Sequence, residues 1–361
     1  MNDCRSSLRL LATFIAFLVA LRVAAQDPAS LQTELDACVR DHKLAGVSVA
    51  VGKGDALWWS SGAGYADVEK QTPMTAATVH RIASISKPIA AVGAMLLVQD
   101  GKLRLEDTVR PLVSAWPEAY APITVYQLLT HTSGIRHYKN LESMSNVHYN
   151  TLVDAFAAFK DDAIIAAPGE KYIYSTYGYT VLGAMVEAAS GEGLHDLLKR
   201  RVWEPAGMTA TTFEFAGVPV ENCAVGYSLR RKGKLVPSRP TDLSVKYPGG
   251  GMLSTAEDLV RFGMAFDAGQ LVSIESKAKM LEPAKLSNGS TNDYGLGWNV
   301  GKNPKHPGAY AHSGGQAGTS TKLSIYPDAK LVIAIICNVE EAFEAVNSFN
   351  GALLDKLTAQ P

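Results

Sequence analysis

The sequence predicts an α/β chain of the α+β type, and three observations lead to that. Strand-like runs cluster near both ends, at Ala45–Gly52 and Leu57–Gly62 and again between Tyr294 and Cys337. Between about 83 and 289 the apolar residues recur with helical spacing, broken by polar loops. Charge-rich helical patterns open and close the domain, at Leu31–His42 and Phe343–Leu357. The arrangement these require is one antiparallel sheet formed by the N- and C-terminal segments and flanked by helices, with a mostly helical inserted subdomain. The sheet subdomain is expected over about 31–82 plus 290–357, and the helical one over about 83–289.

Composition sets the outer limits. With 361 residues, 47% hydrophobic and 19% charged, the chain can bury a large core. A formal net charge of −1 argues against a nucleic-acid partner. The basic cluster Arg230–Lys234 contains a glycine and reads as a solvated hairpin tip.

Residues 1–25 combine arginines at 5 and 9, an apolar run from Leu10 to Leu21, and small residues at Val23-Ala24-Ala25. Too short to span a bilayer, this segment is expected to be a signal peptide cleaved after Ala25. The mature protein would then be secreted or periplasmic, or mitochondrial in a eukaryote, with no stable membrane insertion. Cleavage leaves Cys38, Cys223 and Cys337, an odd count whose pairing the sequence leaves open. No C-x-x-C or H-x-x-x-H spacing occurs, so neither a metal nor another cofactor is expected.

Along the chain, Lys53-Gly54-Asp55 joins the first two strands as a hairpin signal. A helix follows from Ser84, ended by Gly101. Val125–Thr130 and Tyr177–Ser190 read as helices, and Ser254–Glu257 as a capping box opening a helix over Asp258–Phe266. Pro248–Gly251 reads as a tight loop-to-helix junction. Gly308–His312, Thr319–Tyr326 and Lys330–Cys337 are the C-terminal strands.

Chemistry concentrates at Ser84-Ile-Ser-Lys87. On a helix, residues three apart share a face, so the lysine amine would lie within reach of the serine hydroxyl. A partly desolvated lysine can take that hydroxyl's proton, and a helix N-terminus favours a developing oxyanion. The spacing alone is weak, because Ser276 and Lys279 repeat it in a lysine-rich, surface-like segment.

Two further pieces fit Ser84: Tyr174-Ser175-Thr176, and His312-Ser313-Gly314-Gly315. Together the three resemble S-x-x-K, Y-x-N and [KH]-[ST]-G, the motifs of the penicillin-recognising serine hydrolases. That group includes class C β-lactamases, D-alanyl-D-alanine carboxypeptidases and related esterases. The segments 127–138, 168–179, 249–259, 294–298 and 335–338 are similar to those of one branch, the serine β-lactamase-like LACTB proteins. The resemblance spans about 31–357 and implies a β-lactamase/transpeptidase-like catalytic domain.

It implies Ser84 as acylated nucleophile, Lys87 as its base, and Tyr174 as a proton shuttle whose phenol is acidified by the Lys87 charge. The backbone N–H groups of Ser84 and Gly315 would form an oxyanion hole. Thr176, His312, Ser313 and Gly314 would contact substrate. Thr176 stands where the family has asparagine, and His312 where most β-lactamases have lysine, which lowers the fixed positive charge. The expected activity is peptide or peptide-like amide cleavage through an acyl-enzyme, with weak β-lactamase activity beside it. The readings kept alongside are an esterase, a penicillin-binding sensor acylated without turnover, and a self-assembling scaffold. The implied partners are a small peptide or acyl substrate and, from the LACTB branch, other copies of the chain.

Overall fold

The central strands are apolar on both faces because both faces are covered. In the computed structural model, which describes residues 27–359 apart from 119, 121 and 302, β1 (Gly46–Lys53) pairs antiparallel with β6 (Leu331–Cys337), placing Ala50 opposite Ala334. The expected signal segment 1–25 lies outside the described residues. Outward from this pair run β2 (Ala56–Asp67) and β3 (Thr72–Pro73) on one side, and β5 (Thr319–Tyr326) and β4 (Tyr310–Gln316) on the other. The order is β3-β2-β1-β6-β5-β4, so the two chain ends do build one sheet.

Side chains alternate between two cores. Val47, Val49, Val51, Ile333, Ile335 and Cys337 pack beneath α1 (Pro28–Asp41) and α5 (Phe343–Thr358). Ala50, Val332, Ala334 and Ile336 face the opposite core, beneath α4 (Ala256–Asp267). Gly263 belongs to that contact: a Cβ there would lie 2.7 Å from Val332. At roughly 25 cal/mol per Å² of apolar surface buried, these two interfaces are the main source of the sheet's stability.

Helix α2 (Ser86–Gln99) is buried from Ser86 through Leu97, which is why its sequence is apolar all round rather than amphipathic. Helix α3 (Thr176–Ser190) packs beside it, capped by Ser175, whose hydroxyl accepts the Gly178 N–H at 3.0 Å. Helix α4 is capped by Thr255, one residue later than the sequence reading placed it; Asp258 supplies the N–H it accepts.

Two other boundaries differ from expectation. The glycine run is a short helix over Tyr247–Gly250, and β4 continues through Gln316, so His312–Gly315 lies within an edge strand. Strands too short to show alternation occur as well: His80–Arg81, Met252–Ser254 and Thr212–Phe213 form a small sheet, and Tyr227–Arg230 with Lys234–Pro237 forms the expected basic hairpin. Cys38, Cys223 and Cys337 are free thiols.

Candidate active site

Ser84 sits in a single 3₁₀ turn, Ala83–Ile85, that runs straight into α2. That turn eclipses residues three apart and brings the Lys87 Nζ to 3.1 Å from the Ser84 Oγ. Ala83 enters at φ +47, a left-handed conformation that costs an alanine roughly 1–2 kcal/mol. Several bonds hold it there. The Ile82 N–H donates to the Met252 carbonyl, the Ser86 hydroxyl to the Ala83 carbonyl at 2.7 Å, and the Thr321 hydroxyl to the Ile82 carbonyl at 3.2 Å. The turn that carries Ser84 is thereby tied both to the small sheet and to β5.

Lys87 is fully buried. Besides Ser84 it meets the Gly249 carbonyl at 2.6 Å and the Thr176 Oγ1 at 3.1 Å. Burial, then repulsion from Lys246, pushes its pKa well below the usual lysine range. No carboxylate lies within 4 Å of it among the described residues, so the neutral amine is the favoured form.

Tyr174 precedes the α3 cap. The Lys87 Nζ lies 4.7 Å from its ring centroid. The expected acidification does not occur. Burial pushes the phenol pKa up, and the Ser84 side chain offsets only part of that. Burial therefore favours the uncharged form of both groups.

The edge strand approaches from the other wall. A Cβ on Gly314 would lie 2.9 Å from the Ser84 nitrogen and 2.7 Å from the Ile82 oxygen, so only glycine lets β4 touch the turn that carries Ser84. On Gly315 the same atom would strike the Phe343 ring. Ala311 exchanges both backbone bonds with Asn299, on the side of β4 away from β5. Backbone groups of an edge strand alternate, so the Gly315 N–H points the same way, into the cavity it shares with Ser84.

His312 is buried and spent. Its Nδ1 donates to the Ser313 carbonyl at 2.7 Å, which can only accept, so Nε2 carries the lone pair that receives the Tyr294 hydroxyl at 2.8 Å. Burial holds its pKa down to about 3. Neither ring nitrogen remains free. Ser313 is exposed on the strand edge, and Thr176 lines the cavity.

Two histidines of the segment 127–138 brace the site. His131 Nδ1 accepts the Ser175 N–H at 3.1 Å and His137 Nδ1 the Thr176 N–H at 3.2 Å. Burial pushes the pKa of both imidazoles down, that of His137 to about 4. Arg136, between them, pairs with Glu142 at 2.6 Å and with Asp162, pinning the loop that forms the outer wall.

Ser84, Thr176, Gly249 and Gly315 open on a cavity of about 290 Å³ that also includes His137, Tyr138, Lys246 and Phe343. Sequence reasoning missed Lys246. A lysine inside the otherwise uncharged run Leu243–Gly251 was the available signal.

Comparison with known proteins gives a consistent picture. A protein-family profile described as Beta-lactamase matches residues 31–356. Penicillin-binding protein 4* of Bacillus subtilis (strain 168) is 30% identical, the match covering 92% of this chain and 76% of that one. The mitochondrial serine beta-lactamase-like protein LACTB of Homo sapiens is 27% identical over 82% of this chain and 73% of its own. Among solved structures, the octameric penicillin-binding protein homologue from Pyrococcus abyssi superposes with a TM-score of 0.76 at 28% identity, covering 91% of this chain and 77% of that one. EstCE1, a hydrolase with promiscuous acyltransferase activity, shares the fold with a TM-score of 0.79 at 23% identity, over 93% of this chain and 99% of its own.

Proposed function

The chain belongs to the beta-lactamase family of serine hydrolases, and on that footing we propose that it cleaves small peptides or peptide-like amides through an acyl-enzyme at Ser84. The observation that carries the reading is the Ser84–Lys87 contact of 3.1 Å in a buried, uncharged setting that opens directly on a cavity. A neutral amine has two donors and one lone pair, and Lys87 has three polar neighbours. The Gly249 carbonyl and the Thr176 hydroxyl take the donors, which leaves the lone pair for the Ser84 proton.

Attack by the Ser84 oxygen on a substrate carbonyl passes its proton to Lys87 and places negative charge on the carbonyl oxygen. The N–H groups of Ser84 and Gly315 stabilise that charge. As the tetrahedral species collapses, the Tyr174 phenol protonates the departing amine and recovers a proton from the Lys87 ammonium. Water then repeats the sequence in reverse and frees Ser84. Tyr174 acts as a proton donor rather than as a resting phenolate, which fits its raised pKa. His312 and Tyr294 stiffen the wall; Thr176, Ser313 and Gly314 border the substrate.

Within the family, the segments 127–138 and 249–259 support placement beside the LACTB branch, and residues 1–25 support export. Self-association is part of the reading through the octameric relative. No helix among the described residues is long and apolar enough to cross a membrane. The test is intact-protein mass spectrometry after treatment with a fluorophosphonate. One adduct on the wild type and none on Ser84→Ala is expected; labelling that survives Ser84→Ala overturns the assignment.

A further inference from the structure

The mechanism leaves a buried lysine in the cavity without a task. Lys246 closes the turn Ser244–Lys246 just before the glycine helix, is 2% exposed, and lines the same cavity as Ser84. Its Nζ donates once, to the Ser143 carbonyl at 3.0 Å, and lies 5.4 Å from the Tyr138 ring centroid. An ammonium has three donors, so two are unspent. No carboxylate lies within 4 Å of it among the described residues. A buried cation without a counter-ion is costly, and packing alone would be served better by an apolar side chain.

We propose that Lys246 is a specificity residue that receives an anionic group, a carboxylate in the first instance, on the acyl part of the substrate. This rests on the hydrolase reading and names its substrate class. The acyl part is assigned because Lys246, Tyr138 and Phe343 border the open volume beside Ser84, whereas Tyr174, which serves the leaving group, is not among the residues lining it. The departure at His312 agrees: that position holds a neutral, fully bonded imidazole, so the site's available positive charge sits on the opposite wall.

The surroundings set how the effect varies with pH. Facing Lys246 are the Arg81–Glu214 ion pair, Lys87, His137, and the rim carboxylates Glu340 and Glu341. Glu340 is engaged by the Gly318 N–H at 3.3 Å, and Glu341 is exposed to water. Lys87 and His137 are held neutral by burial. Lys246 is lowered to about 8, mainly by burial and then by Arg81, so it is mostly charged at pH 7 and loses that charge as pH rises through this value.

The test is calorimetric binding to Ser84→Ala protein, which requires no turnover. The probes are the mono-anilide of glutaric acid and its methyl ester, identical except for the charge. We expect the acid to bind at least about tenfold tighter at pH 7, the preference to collapse toward unity in Ser84→Ala/Lys246→Met, and the preference to fade above pH 8 with Lys246 intact. Equal binding of acid and ester, or a preference that Lys246→Met and high pH both leave in place, overturns the proposal. Failure of the hydrolase reading would show instead in the Ser84 labelling experiment.

Discussion

The chain contains the same tetrad twice, and the two copies behave in opposite ways. Ser84 and Lys87 start a helix buried on every side; Ser276 and Lys279 lie on the exposed helix Ile274–Met280. Lys87 has no exposed surface and its amine is driven toward neutrality, whereas the Lys279 side chain is 48% exposed and pairs with Glu282 at 2.9 Å, which pushes its pKa up. Spacing is common to both copies, so it does not make a base. What separates them is desolvation without a counter-ion in one and a solvated ion pair in the other.

The largest effect should fall on the nucleophile. Ser84→Ala is expected to lower hydrolysis of any accepted ester or amide by roughly a thousandfold or more, since only binding and oxyanion stabilisation remain. Ser276→Ala should leave the rate unchanged. Steady-state kinetics on both variants checks this, and an equal loss in the two would break the contrast.

Next comes Lys87→Met, expected to cost about 10²–10³-fold in kcat/KM by removing the base. The wild-type kcat/KM should rise with pH through the folded-state pKa of Lys87, because the neutral amine is the active form. Stability should show the same asymmetry. Lys87 has a folded-state pKa below its ordinary 10.5, so between those values the unfolded chain holds the extra proton and wild-type stability climbs with pH. Lys279 has a raised pKa, so its contribution is present below 10.5 and is lost above it. Thermal melts of wild type and Lys87→Met across pH 6–10 should converge toward the alkaline end. Parallel curves would mean that Lys87 is charged at rest.

How much of this was legible follows from what each feature depends on. The sheet was readable because β1 and β6 are buried on both faces and their residues had to be apolar, and the contact between Ser84 and Lys87 because their spacing is local. The state of Tyr174 was not readable. Its acidification was inferred from Lys87 carrying a charge, and whether Lys87 is charged depends on Gly249 and Thr176, 162 and 89 residues away, and on Lys246. Lys246 itself looks like any other lysine until the Tyr138 and Ser143 loop closes over it. Ala83 gave no sign either, since a left-handed alanine is imposed by the bonds around it rather than by its type.

A smaller change should modulate the buried copy without destroying it. Thr176→Val removes one acceptor of Lys87 at nearly constant volume, a loss of about 0.5–1.5 kcal/mol, so kcat should fall roughly 2–12-fold. Because the vacated amine donor can turn toward Ser84, the loss should appear in kcat and not in the affinity for a substrate analogue. A change confined to KM would place Thr176 on the substrate alone.

The smallest effect is the one that defines the control. Lys279→Met removes an ion pair that is about half in water, where both partners keep their hydration and the net attraction is about 0–1 kcal/mol. Its neighbour Lys277 meets Asp267 at 3.1 Å and so continues to hold the helix end in place. Chemical denaturation should therefore shift by no more than about 0.5 kcal/mol, and by less in high salt, where the pair is screened. The same substitution at position 87 removes an amine that has no water to fall back on, so its consequences should be nearly independent of salt. Salt sensitivity, more than the size of the loss, tells the two lysines apart: a salt-dependent Lys87→Met variant would place that amine in solvent and remove the physical basis for treating it as a base.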